Sequence, residues 1–257
     1  MSQIKKAFEN GKALIAFLTA GVPSAEDTVR YVLEMEEAGA DLIEMGVPFS
    51  DPIADGPVIM EADVAVLKNH IHLPEVMEIV KEIRKHTKIP LVLLTYYNPV
   101  FRYPAERFFK EAREIGIDGV IIPDLPAEEQ GEIRQLADEN EVDIIQMVAP
   151  TSGVRIKEHL KNATGFVYVV SSMGVTGMRG NIKTDLKDII QQVREVTDTP
   201  VAVGFGIHTA EQAHEMASLA DGVITGSGVV DIINRKGKDA GPSLKEYIKN
   251  LRNGTDA

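Results

Sequence analysis

The chain has no cysteine. Disulfides, thiolate metal sites and a cysteine nucleophile are therefore excluded, and a reducing cytoplasm is the expected compartment. Positive charge is also scarce. The 27 Lys and Arg stand against 39 Asp and Glu, for a net charge of −12. That balance argues against bulk attraction to nucleic acid or to an anionic membrane. It leaves an anionic small molecule open, because backbone N–H groups at a helix N-terminus bind phosphate without a basic side chain. No apolar run approaches the roughly 20 residues that span a bilayer. The first such run, residues 13–18, is short and follows Glu9, Asn10 and Gly11, so no secretory leader is expected. Nucleotide-binding markers are missing too. No GxGxxG follows the first strand, Gly204-Phe205-Gly206 runs on into Ile207 and His208, and no P-loop occurs. His70 and His72 form H-x-H in a turn context without a third ligand, so no metal is expected.

What the chain does have is a recurring alternation. Apolar runs of strand length fall at residues 14–21, 42–47, 91–97, 119–124, 143–150, 166–172, 201–206 and 222–227. Between them lie helical patterns, such as Val76, Ile79, Val80 and Ile83 at i, i+3, i+4, i+7 spacing. Ser24 and Asp27 predict one helix N-terminus, and Thr209 and Gln212 another. Glu34, Glu36 and Glu37 read as a solvated helix face. A weak repeat, Gly39-Ala40-Asp41, Gly116-Ile117-Asp118 and Ala220-Asp221-Gly222, leads from helix ends into strands. Continuous apolar strands alternating with helices imply a parallel sheet covered by helices. Eight such units, with no linker or composition shift, predict one (β/α)8 TIM barrel with extra helices over residues 1–257. An open doubly wound sheet is the alternative.

The most informative stretch is residues 42–57, LIEMGVPFSDPIADGP. An acid, Glu44, stands in an otherwise apolar strand, where a glutamate is either paired or put to use. A turn-rich loop follows and carries Asp51, Pro52 and Asp55. Glu44 on a rigid strand and Asp55 on a loop that can fold over it suit an acid/base pair with separated pKa values. In a barrel the site lies at the C-terminal strand ends. Those ends hold Phe17, Glu44, Tyr96, Asp124, Tyr168, Gly204-Phe205-Gly206 and Gly226-Ser227-Gly228. The last two groups follow strands seven and eight, where barrels commonly bind phosphate with a short helix behind the loop. A third Gly-rich segment, residues 172–183, suits a mobile lid.

These residues carry a resemblance. Residues 42–56 are similar to the signature of the tryptophan synthase α-subunit family, an acid on strand two followed by G-x-P-F-S-D-P-x-A-D-G. GVTG at 174–177, GFGI at 204–207 and Gly226-Ser227 fall in that family's order. The resemblance implies cleavage of indole-3-glycerol phosphate to indole and glyceraldehyde 3-phosphate without a cofactor. It implies a β-subunit partner that carries pyridoxal phosphate, in an α2β2 heterotetramer. By position it implies Glu44 as general acid/base and Asp55 as the acid facing the indole N–H. Tyr168 matches the tyrosine near the reacting side chain, and Phe17 and Tyr96 match pocket positions for the ring. Gly177, Gly206, Gly226 and Ser227 match phosphate contacts, and Thr176 the lid threonine that closes onto Asp55. Asp51, Pro52 and Asn98 fall on the partner-facing surface. The lid's second half, Met178 to Asn181, departs by being shorter, which leaves the role of Arg179 open. Two other functions compete: a sugar-phosphate isomerase or epimerase on the same barrel, and an inactive subunit that only activates a partner.

Overall fold

The structure is a computed structural model that describes residues 3–149, 152, 156–170, 182–204 and 206–257, with the backbone alone at 182–185. Nine strands are assigned among them: β1 (Ala13–Thr19), β2 (Leu42–Gly46), β3 (Leu91–Leu94), β4 (Gly119–Ile121), β5 (Asp143–Ile144), β6 (Gln146–Val148), β7 (Val167–Val170), β8 (Val201–Gly204) and β9 (Gly222–Thr225). All pair in parallel, in the order β5-β4-β3-β2-β1-β9-β8-β7-β6. The two ends of that order are neighbours in the chain, separated by Ile145 alone. The Ile145 N–H donates to the Val120 carbonyl at 2.9 Å. Residues 143–145 thus continue the β4 ladder, and β6 then turns to β7. The sheet closes through the covalent chain into the expected barrel, and the predicted fifth strand is divided between its two neighbours.

The helices are α1 (Ala25–Glu37), α2 (Pro57–Leu67), α3 (Leu73–Arg84), α4 (Tyr97–Arg102), α5 (Ala105–Ile115), α6 (Gly131–Glu139), α7 (Ile156–Leu160), α8 (Ile182–Arg194), α9 (Ala210–Ala217), α10 (Ser227–Lys236) and α11 (Gly241–Asp256). Ser24 caps α1 by accepting from the Asp27 N–H at 3.1 Å, and Thr209 and Gln212 form a capping box on α9. Most strands end earlier than the apolar runs suggest. Tyr97, predicted in strand three, instead begins α4, and Ser227, predicted in strand eight, begins α10. The N-terminal segment forms a 3₁₀ turn, Ile4–Phe8.

Alternation along each strand sorts side chains into two layers. Ile15, Leu42, Val92, Ile121, Ile145, Phe166, Ala202 and Ile224 fill the barrel, and Ile4 plugs its base. Residues between them face the helices and join the outer core. The weak repeat has a physical role at the base. Asp41 accepts from the Leu14 N–H at 2.8 Å, Asp118 from the Leu91 N–H at 3.0 Å and Asp221 from the Val201 N–H at 3.0 Å. Each carboxylate pins the first residues of another strand and is held by an arginine, Arg252, Arg84 and Arg194 respectively. Of the acids late in α1, Glu37 is exposed as expected, whereas Glu34 and Glu36 are half-buried. Glu36 accepts from the Thr87 hydroxyl at 2.7 Å and Glu37 pairs with Lys245 at 2.6 Å, so they tie α1 to α11 and to the segment before β3.

Candidate active site

Glu44 occupies the second inward position of β2, two residues beyond Leu42, beside Phe17 of β1 and Val92 of β3 in the parallel register. It is 1 % exposed, and among the described residues its Oε2 has no hydrogen-bond partner. Burial disfavours its charged form, and the Asp55 carboxylate adds repulsion, so its pKa rises from 4.5 to about 8. The group therefore keeps its proton at neutral pH.

Asp55 reaches the same space from the loop after β2. Its Oδ2 accepts from the Tyr96 hydroxyl at 2.8 Å, and that hydroxyl accepts from the Ala54 N–H at 2.9 Å. Burial raises the Asp55 pKa, and the Tyr96 hydrogen bond lowers it again. Two carboxyls thus share one pocket in different environments, one fully buried on a strand, the other hydrogen-bonded on a loop.

Two glycines at strand ends make room for the rings beside Glu44. A Cβ on Gly46 would stand 2.6 Å from Phe17 Cζ, and a Cβ on Gly204 would collide with the Tyr168 hydroxyl. Tyr168 of β7 is buried, and its pKa is raised by desolvation and then by the nearby Glu44 and Asp55.

The far end of the pocket is built from backbone. Gly226 is the N-cap of α10, and Ser227 opens its first turn, where N–H groups have no intrahelical partner. The Thr225 hydroxyl donates to the Ile207 carbonyl at 3.0 Å and pairs with the Tyr247 hydroxyl at 2.9 Å, which braces the loop after β8 against β9 and α11. This end presents donors and the positive end of a helix dipole to an anion.

Phe17, Glu44, Asp55, Tyr168, Gly206, Gly226 and Ser227 line one cavity of about 100 Å³. Leu94, Pro123, Met147 and Ile224 complete its apolar wall, and His208 stands at the anion end. Those five were not singled out from the sequence, although Leu94, Met147 and Ile224 sit at inward strand positions. Tyr96 is placed differently from the other aromatics. It does not line the cavity but stands behind Asp55, stacked on Phe49 with ring centroids 5.1 Å apart. Thr176, Gly177 and Arg179 lie outside the described residues. Asp51 and Asn98 are exposed and Pro52 half-buried, away from this cavity. Asn98 lines a second groove of about 470 Å³ with Pro48, Phe49, Leu67 and His72. A larger groove, about 1040 Å³, runs along α1, α3 and α5, but its charged lining is taken up in surface ion pairs such as Lys81–Glu78 and Arg107–Glu111. Among the described residues no cluster of three or more His, Asp or Glu is placed to hold a metal ion, and no helix is long and apolar enough to cross a membrane.

Comparison with known proteins agrees over the whole length. Residues 1–256 match the family model described as tryptophan synthase alpha chain. The chain is 43% identical over 257 residues to the tryptophan synthase alpha chain of Lacticaseibacillus casei, covering all of this chain and 97% of that one. It is 46% identical over 260 residues to that of a Thermoanaerobacter species, covering 98% and 99%. Among solved structures it superposes on tryptophan synthase subunit alpha from Legionella pneumophila with a TM-score of 0.90 at 32% identity, covering 100% and 99%. It also superposes on a chain of the tryptophan synthase a2b2 complex from Pyrococcus furiosus with a TM-score of 0.86 at 39% identity, covering 94% and 99%.

Proposed function

The chain belongs to the tryptophan synthase alpha chain family, and from that membership we propose that its cavity cleaves indole-3-glycerol phosphate to indole and glyceraldehyde 3-phosphate. The observation that carries the site assignment is the pairing of a fully buried, protonated Glu44 with a hydrogen-bonded Asp55 in a cavity that ends on the α10 N-terminus.

The phosphate binds at Gly206, Gly226 and Ser227, and the family resemblance adds Gly177, which lies outside the described residues. The indole ring lies among Phe17, Leu94 and Ile224. Glu44 gives its proton to indole C3, and Asp55 accepts the indole N–H and stabilises the positive charge that this creates on the ring. Glu44, now ionised, takes the proton from the glycerol hydroxyl next to the ring. The oxygen electrons form the aldehyde, the bond to C3 breaks, and its electron pair restores the aromatic ring. Atoms balance without a redox partner, and Glu44 ends protonated as it began. Tyr168 packs beside the reacting carbon.

The reaction needs no cofactor on this chain. A β subunit carrying pyridoxal phosphate receives the indole, in an α2β2 assembly. The surface assigned to it holds Asp51, Pro52 and Asn98. It is supported by Ile53 and Phe101, large apolar side chains left 78 % and 65 % exposed on the same loop and on α4. Residues 1–257 act as one barrel domain, and the cysteine-free chain is assigned to the cytoplasm. The test is direct: purified chain with indole-3-glycerol phosphate, with and without a β subunit, assayed for indole. Release of indole supports the reading. No release in either condition refutes it and favours a subunit that only activates its partner. The family membership weighs against an isomerase or epimerase.

A further inference from the structure

The starts of α2 and α10 both line the cavity, through Gly56 and Ile59 of the first and Gly226 and Ser227 of the second. Each start serves one half of the proposed chemistry. Asp55 directly precedes Gly56, the N-cap of α2, and Pro57 then opens the helix. Gly226 and Ser227 form the anion end. The two helices pack on each other, and a polar contact crosses between them: Asn234 Nδ2 of α10 donates to the Val58 carbonyl of α2 at 3.1 Å. Both residues are half-buried, which limits competition from water. A carbonyl oxygen carries two lone pairs, so Val58 accepts this bond while staying in the helix. Asn234 does not line the cavity and lies about two turns beyond Ser227 on the same helix. The loop that carries Asp55 is thus held at two points. The Tyr96 hydroxyl bonds Asp55 and the Ala54 N–H, and Asn234 fixes where α2 begins. Ser50, Asp51 and Ile53 are exposed, so burial fixes this part of the loop weakly.

We infer that Asn234 is a positioning residue for the cleavage reaction: by tying the start of α2 to α10 it sets the distance between Asp55 and the phosphate end of the cavity. A substrate with an indole N–H at one end and a phosphate at the other must meet both groups at once. A hydrogen bond between the two helices holds those groups at one spacing before the substrate arrives. Asn234 acts through α2 and not on the substrate itself. This inference rests on the proposed reaction, because the spacing matters to a substrate that spans both ends.

The test uses the full chain. Asn234→Leu fills a similar volume without a donor, and Asn234→Asp keeps the shape but turns a carboxylate oxygen toward the carbonyl. Both variants are expected to lower kcat/KM for indole-3-glycerol phosphate about tenfold, because a misplacement of about 1 Å costs about a hundredfold and the Tyr96 bond limits the shift. Calorimetric binding of the separate halves, indole and glycerol 3-phosphate, should change little, since each end of the site stays intact. A bond that only stabilises the fold would not separate the whole substrate from its halves. A second readout is independent of turnover. Amide hydrogen exchange across residues 54–60 should quicken in both variants, with exchange in β1 and β2 unchanged. Should Asn234→Asp fail to fold, Asn234→Leu carries the same comparisons. Wild-type kcat/KM in the folded variants, equal weakening of the halves and of the whole substrate, or unchanged exchange at residues 54–60 overturns the inference. Indole release by the wild-type chain tests the reaction itself. If the wild type releases none, that reading fails, while the exchange comparison still decides whether Asn234 holds the start of α2.

Discussion

Replacing Glu44 by glutamine is expected to abolish indole release and at the same time to make the fold less sensitive to pH. The carboxyl is raised from 4.5 to about 8, by desolvation first and by Asp55 second. In the unfolded chain it titrates at its ordinary value. Between those two values the folded protein holds a proton that the unfolded chain has released. The contribution of this group to stability is therefore full below about pH 4.5 and is lost as pH rises toward 8. Each pH step inside that window costs about 1.4 kcal/mol. Moving from pH 5 to pH 8 should then remove about 3 to 4 kcal/mol from the wild type through Glu44. Asp55 and Asp63 are also raised, but they are present in both proteins and largely cancel in the comparison. The assay is urea unfolding of wild type and Glu44→Gln at pH 5 and pH 8, with indole release measured at neutral pH. The wild type should lose more stability across the interval by roughly the amount above, and the variant should lose at least a hundredfold in turnover, as removal of a general acid/base does. Equal pH dependence in the two proteins would show that Glu44 is not held protonated by burial. Turnover near wild type would remove it from the catalytic role.

Ser227→Asp places a carboxylate where the α10 N-terminus is proposed to receive phosphate, so calorimetry should show phosphate-ester binding weakened at least tenfold with indole binding little changed; equal weakening of both places the phosphate elsewhere. Thr176→Val removes the hydroxyl proposed to close onto Asp55, and should remove most of the activation that a β subunit confers, itself expected at roughly 5–150-fold; activation equal to wild type at saturating β subunit rules out that contact as the coupling element. Asp118→Ala strips the partner from the largely buried Arg84 and the acceptor from the Leu91 and Gln3 N–H groups, and should cost about 3–5 kcal/mol in urea unfolding; a cost below about 1 kcal/mol would mean the base of the barrel does not depend on this clamp.

How far the sequence reaches differs from residue to residue. Strand and helix order were legible because a barrel strand is buried on both sides, and buried runs such as residues 91–94 and 201–204 stand out by hydrophobicity alone. Glu44 was legible for the complementary reason: a lone acid inside such a run has no cheap structural explanation. The glycine and serine positions after the last two strands followed once the barrel placed them at one rim. Strand ends were not legible, because Tyr97 and Ser227 are apolar or neutral residues that suit a strand as well as a helix start, and only chain direction beyond the barrel rim decides between them.

Composition, periodicity and the spacing of one acidic strand and loop were local properties, and they determined the fold class and the two carboxyls. Everything that depends on distance between segments far apart in the chain was left to the tertiary structure. It divided the fifth strand at Ile145, because one strand must satisfy two neighbours for the sheet to close. It put Tyr96 behind Asp55, stacked on Phe49, because the loop folds back over the end of β3. It also buried Asp63 beside Ala62 and Val66 on α2. The pKa of Glu44 follows from the same cause: a carboxyl keeps its proton at neutral pH only when the surrounding barrel excludes water and brings a second carboxyl near, and no residue adjacent to it in sequence does either.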